Sequence, residues 1–260
     1  CDAGRALRLK PPAAPLALSY SSIDQYERCP LCWYLRYVLR LPSPDSDELR
    51  VGNVVHAALD RFIKLDAGAD AEGSPRPGLE ELLRIGRRAM IDEMGRGAVV
   101  DDGEVATVEA QLRSYFERFH DANAQTLETE RTIEFPYVVD GVSHVFTAKI
   151  DRVDLTQDNA FRVIDYKTGR GWANLREPKK DDLQFGVYAL ALRHAHAEVG
   201  DLRGTAEYWL LATGQKGVLS LADIKEAKVR GTIDRAVRGI LGGEYGREKG
   251  CEGACTLFGA

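Results

Sequence analysis

Two hydropathic periods divide the chain. From Ser21 to about residue 123, apolar residues return every three or four positions, the spacing of helices with one buried face. From 130 to 167 they alternate with polar ones, the spacing of strands. The first stretch predicts a helix from Ser21 or Ser22 that Pro30 kinks or restarts. A second helix runs from Leu31 to Leu39 and stops before Pro42. A third covers Val51 to Leu65 and starts through Gly52 and Asn53. A Gly/Pro/Ala loop follows at 67–78, then amphipathic helices near 79–95 and 104–123. The second stretch predicts antiparallel strands at 130–139, 143–155 and 160–167, with turns at Asp140-Gly141 and around Asp158. A helix at about 181–199, a strand at 204–213 and a helix at 221–242 complete the chain.

Helices, a meander and then helix, strand and helix predict a mixed α/β fold. The expected architecture is a mixed central sheet, an antiparallel meander plus a strand after a crossover helix, flanked by helices and preceded by a helical region. Residues 1–17, with Pro11, Pro12 and Pro15, read as a linker. Residues 18–260 read as a single domain: helical to about 125, sheet and flanking helices over about 126–245, and a cysteine-containing tail from 246. The Pro/Ala-rich opening without a starting Met reads as a segment of a longer chain. No run of eighteen apolar residues occurs, so no membrane span is expected.

The 260 residues carry 35 basic and 40 acidic side chains, a formal charge of −5, which argues against a histone-like polyanion binder. The bases are unevenly placed. Lys167, Arg170, Arg176, Lys179 and Lys180 crowd one segment against a single acid, Glu177, whereas 66–134 is strongly acidic.

That basic segment follows the residues with the clearest chemistry. Asp165 and Lys167, two apart on one strand, share a face about 6–7 Å apart along it. A hairpin brings Asp151 of the preceding strand alongside. Two carboxylates and an ammonium at one sheet edge fit a divalent-metal site, and carboxylate oxygens suit Mg²⁺. Such a site activates water and offsets phosphoryl charge, with Lys167 orienting the nucleophile or stabilising the transition state. By itself Asp-X-Lys more often marks a solvated strand end. Gln184 and Tyr188, at i and i+4, share a helix face, and His56 follows Gly52-Asn53.

In this order the motifs resemble the RecB-like branch of the PD-(D/E)XK nuclease superfamily. Residues 18–30 are similar to the family's opening helix and Cys-Pro step, and Gly52 to His56 to its histidine motif. Ile150-Asp151-Arg152-Val153-Asp154 resembles its IDRVD motif, Ile164 to Gly169 its DYKTG motif, and Gln184 with Tyr188 its QxxxY motif. The resemblance spans roughly 18–215 and implies a restriction-endonuclease-like core. It also implies metal ligation by His56, Asp151, Asp165 and the main chain after Asp165, with Lys167 as catalytic lysine. Gln184 and Tyr188 would contact DNA or support the site. Arg170, by its place directly after the strand that carries Lys167, is a candidate for phosphate contact or site support. Ala148 stands where the family often has Gly. The implied activity is Mg²⁺- or Mn²⁺-dependent hydrolysis of DNA, on single strands delivered by a UvrD-like helicase in cis or in trans, in repair or recombination. The imidazole ligand predicts activity with Mn²⁺ at or above that with Mg²⁺.

Five cysteines without a secretory signal predict a reducing, cytoplasmic setting. Some relatives bind a [4Fe–4S] cluster through one Cys near the opening Cys-Pro and three near the C-terminus. Cys29, Cys251 and Cys255 match three of these, and a third C-terminal Cys is missing from the sequence. Cys32 as fourth ligand, a ligand beyond residue 260, a zinc site and no cluster all stay open. Trp33, Tyr34 and Tyr37 are expected in the core with Arg36 and Arg40 outward; base stacking is the alternative. A non-catalytic DNA-binding or scaffold domain is the competing reading of the whole chain, disfavoured by the complete His/Asp/Asp/Lys set.

Overall fold

A computed structural model describes residues 9–41, 47–95, 101–197, 202–248 and 251. Its sheet has six strands: β1 (Ala17–Ser19), β2 (Gln125–Val139), β3 (Val142–Leu155), β4 (Phe161–Lys167), β5 (Gly204–Leu210) and β6 (Gln215–Ser220). β3 is the spine. One edge pairs antiparallel with β2 along nearly its whole length, and the other pairs with β1 at one end and β4 at the other. β4 continues parallel to β5, and β5 antiparallel to β6.

The helices are α1 (Tyr20–Arg28), α2 (Pro30–Trp33), α3 (Asp47–Glu72), α4 (Leu79–Met94), α5 (Asp102–Arg118), α6 (Leu183–Ala195) and α7 (Glu226–Gly242). Each face of the sheet carries its own core. Phe146, Ile150 and Val163 meet Phe185 and Val187 of α6 and Ile233 and Val237 of α7. On the opposite face Ile164, Tyr166 and Trp209 meet Val55 and Phe62 of α3, Leu82 of α4 and Leu112 of α5. The alternation of β4 thus feeds both cores, as a sheet covered on two sides requires. Among the described residues, no helix is long and apolar enough to cross a membrane.

Several expectations need correction. The segment read as a linker ends in structure: Leu16 and Leu18 are buried, Leu16 N–H donates to His144 Nδ1 at 3.0 Å, and Ala17 opens β1. The loop expected at 67–78 begins only after Glu72. Ala67, Ala69 and Ala71 favour helix, and Gly73, at φ +65°, and Pro75 stop it. Gly52 and Asn53 lie inside α3 rather than at its start. After β5 the chain turns through Gly214, at φ +66°, and adds β6, and α7 starts at Glu226 instead of 221. The helix expected at 31–39 continues α2 as a π-helical turn, Tyr34–Val38.

Candidate nuclease site

The site lies where β3 and β4 part. Their ladder ends at Arg152 opposite Ile164, so the next residues outward are Asp151 and Asp165. There Asp151 Oδ2 accepts the N–H of Tyr166 at 2.8 Å, so a side chain satisfies the β4 backbone where the neighbouring strand has turned away. Behind the fork, Arg152 is held by Asp154 Oδ1 at 2.6 Å and Tyr115 OH at 3.0 Å, and Arg162 braces the same Asp154.

Asp165 and Lys167 turn toward α6, as their spacing of two requires. Asp165 Oδ1 accepts from Tyr188 OH at 2.7 Å and Gln184 Nε2 at 2.5 Å. Lys167 Nζ donates to Gln184 Oε1 at 2.9 Å and pairs with Asp165 Oδ2 at 2.7 Å, the latter off the angle of a hydrogen bond. The rings of Tyr208 and Trp172 lie 5.1 and 5.4 Å from that ammonium. α6 is seated by its N-cap Asp182, which takes Phe185 N–H and Tyr208 OH. Gly186 lets the helix close on α7, because a Cβ there would collide with the side chain of Val229. Gln184 and Tyr188 are buried beneath Asp165, an arrangement that supports the site and leaves neither side chain on the surface.

His56 reaches the fork from the opposite face. A Cβ on Gly52 would lie 3.2 Å from Thr168 Oγ1, so glycine lets α3 run close past the end of β4 one turn before His56. Imidazole Nε2 lies 3.1 Å from the carbonyl oxygen of Tyr166, and Nδ1 lies 3.4 Å from Asp151 Oδ1 and 3.5 Å from Glu130 Oε1. Sequence reasoning missed Glu130. It sits on β2 at φ +50°, a conformation rare for a glutamate, between the ladder pairs Thr129–Arg152 and Arg131–Ile150 and thus opposite Asp151. A register argument carried from Asp151 across to β2 could have found it.

Burial would lower the His56 pKa, but Asp151 and Glu130 outweigh it and raise it to about 10. Asp151 itself is raised, first by burial, then by the charge of Asp165, against the opposing pull of His56. Ligand atoms of His56, Glu130 and Asp151 lie within 4.8 Å of one another; the predicted ligand Asp165 is not among them, and its buried Oδ2 faces the ammonium of Lys167. One nitrogen and several carboxylate oxygens converging in this way fit a hard divalent cation of the Mg²⁺ or Mn²⁺ type.

Arg170 is exposed just past β4, and Trp172 packs on Gly169. Trp33 and Tyr34 are core residues and Arg36 points outward, in line with the core reading of that helix. A second donor group lies apart from the fork: the thiols of Cys29, Cys32 and Cys251 converge within 4.8 Å, with Sγ of Cys32 and Cys251 3.5 Å apart. Burial raises the Cys29 pKa, but hydrogen bonds from the Glu248 and Cys32 backbone and from the other thiols bring it down to about 7. Cys255 lies outside the described residues.

The sequence profile of the PD-(D/E)XK nuclease superfamily matches residues 17–257. Over 182 residues the chain is 26% identical to one component of an ATP-dependent helicase/deoxyribonuclease from Carboxydothermus hydrogenoformans, a match that covers 58% of this chain and only 16% of that protein. A candidate exonuclease from Eubacterium rectale superposes with a TM-score of 0.56 at 13% identity, covering 94% of this chain and 88% of the other, which is a likeness of fold. With the profile spanning nearly the whole chain and a mixed, helix-flanked sheet beneath it, the chain belongs to the PD-(D/E)XK nuclease superfamily.

Proposed function

We propose that this chain is a divalent-metal-dependent deoxyribonuclease that hydrolyses phosphodiester bonds, on single-stranded DNA delivered by a UvrD-like helicase during repair or recombination. The observation that carries it is the convergence of His56, Glu130 and Asp151 at the strand fork, with the Asp165–Lys167 pair beside it. His56, Asp151, Asp165 and the Tyr166 carbonyl would hold Mg²⁺ or Mn²⁺, with Glu130 as a further ligand. A cation held there supplies Lewis-acid stabilisation of the phosphoryl charge and an acidified water.

The protein's own part is positioning. Gln184 and Tyr188 occupy one oxygen of Asp165 and leave the other to Lys167 and to a cation. Lys167, braced by Gln184 and Asp165, donates to the attacking water or to a non-bridging phosphate oxygen as the new P–O bond forms and the bond to the leaving oxygen breaks. The attacking water gives up a proton to solvent, and the leaving oxygen takes one from it. Arg170 would engage a phosphate beside the scissile one. Association with a helicase rests on the likeness to the helicase/deoxyribonuclease component. We read the three described thiols, with Cys255, as ligands of a [4Fe–4S] cluster; visible absorption and iron and zinc analysis of protein purified without oxygen test that assignment.

The deciding experiment is cleavage of end-labelled single-stranded DNA in Mg²⁺, Mn²⁺ or EDTA by wild type, Asp165→Ala and Lys167→Ala. Metal-dependent cutting lost in both variants is expected. Binding without cutting by the wild type would favour a DNA-binding scaffold instead. Cutting that survives both substitutions would put the chemistry elsewhere.

A further inference from the structure

Beside the fork runs a groove of about 710 Å³ that the proposed chemistry does not use. One wall is α5 and the first turns of α3; the other is the loops that follow β4 and β5. It opens at Thr168-Gly169-Arg170, immediately after Lys167. α5 lines it with small side chains such as Ala106 and Ala110, so among the described residues none fills the space. Deep in that wall is Gln111, 4% exposed, whose Oε1 is buried and accepts no hydrogen bond. A buried amide oxygen without a donor is costly, and here it is closed off in the wall of an open groove, where a small swing of the amide would bring it to a donor.

Charge narrows the occupant. Arg170 lines it next to the fork, whereas Glu48, Asp101 and Glu104, the last paired with Arg50, line it where α3 and α5 begin. A phosphate is favoured at the first and repelled from the second. An uncharged, flat, N–H-bearing group attached to a phosphate near Arg170 meets both conditions, and a nucleobase is such a group. We infer that the groove receives the base of a nucleotide flanking the scissile phosphate, and that Gln111 accepts a hydrogen bond from its exocyclic amino group. This rests on the nuclease reading for the nature of the strand and adds to it a base-contacting residue. It predicts a preference for cytosine over thymine beside the cut, since cytosine carries an amino group where thymine has a carbonyl.

The test measures binding of fluorescent dC12 and dT12 in EDTA, and cleavage of the same strands in Mn²⁺, for wild type, Ala110→Trp and Gln111→Leu. Ala110 is exposed on α5, so tryptophan fills the groove without entering the core. Thermal melting checks that both variants fold, and Gln111→Leu should melt no lower than wild type because it removes an unsatisfied polar group. We expect wild type to favour dC12 and Ala110→Trp to weaken both strands about tenfold, with the cleavage loss appearing in KM. Gln111→Leu should abolish the preference while leaving dT12 nearly unchanged. Wild type that binds neither strand or binds dC12 and dT12 alike, a preference that survives Gln111→Leu, or an Ala110→Trp variant with unaltered affinity and KM would overturn the proposal. Because binding is read without metal, the two readings can fail separately. Inactive wild type with groove-dependent binding sinks the nuclease reading alone, and active wild type indifferent to Ala110→Trp sinks the groove alone.

Discussion

Two carboxylates one strand apart live in different surroundings. Asp165 is held by its own face of the sheet: Tyr188 and Gln184 donate to one oxygen, Lys167 pairs with the other, and Gln184 also accepts from Lys167. Asp151 is held by backbone on one side, through Tyr166 N–H, and on the other faces a histidine and a second acid. The first arrangement is a closed network that fixes a lysine. The second is a set of converging donors that fits a cation. The proposed hydrolysis draws on both, and they are supplied separately, Asp165 with Lys167 by β4 toward α6 and Asp151 by β3 toward α3 and β2.

The comparison predicts unequal responses to substitution. Asp165→Ala should reduce cleavage at least about a hundredfold and also destabilise the fold by roughly 3 kcal/mol, because Lys167, Gln184 and Tyr188 lose a buried partner together; denaturant melts alongside rate assays read both. Glu130→Gln should cost about 10–100-fold in activity and in Mn²⁺ affinity with little change in melting, while Glu134→Gln, exposed on the same strand, should do neither. Equal behaviour of the two glutamates would remove Glu130 from the donor set. Gly186→Leu, which drives a side chain into Val229, should lower stability by about 1–3 kcal/mol and reduce activity only through the shift of α6. Tyr188→Phe deletes one donor to Asp165, and a stability loss near 1 kcal/mol with a several-fold drop in kcat at unchanged KM is expected.

The smallest effect calibrates the rest from outside the fork. Burial lowers the His144 pKa, and its neutral Nδ1 accepts from Leu16 N–H. The contribution is complete above the unfolded imidazole value of about 6.5 and is lost as pH falls below it, since the unfolded chain then takes the proton more readily. Between pH 8 and pH 5, wild type should therefore lose more stability than His144→Asn, which keeps an acceptor but does not titrate. Equal losses would show that β1 docking does not depend on the imidazole.

How far the sequence could be read follows from the same contrast. Asp165 with Lys167, and Gln184 with Tyr188, are separated by two and by four residues, so elementary periodicity puts each pair on one face. Asp151 follows from the hairpin, and His56 from the resemblance of its motif. Glu130 was hidden because Thr-Leu-Glu-Thr-Glu-Arg reads as ordinary strand alternation, and only a left-handed backbone and a skipped pairing turn that glutamate to His56. β1 escaped for a different reason. Three residues are too few to show a period, and their partners lie at 145–147. β6 is short, half polar and interrupted by Gly217, which must be glycine because a Cβ would meet the carbonyl oxygen of Leu175.

The peptide groups of Tyr166 have a consequence for how the site can be changed. Its N–H serves Asp151 and its carbonyl oxygen meets His56, while its ring belongs to the core with Tyr115 and Trp209. Main-chain groups persist through any substitution except proline, which removes the N–H. Drift at this position is therefore constrained by the shape of the hydrophobic layer behind it rather than by the ligands it supplies. Misplaced packing there would shift Asp151 and His56 together, so tuning of this centre can come from the hydrophobic layer shared with α3 and α5, through side chains that lie outside the fork.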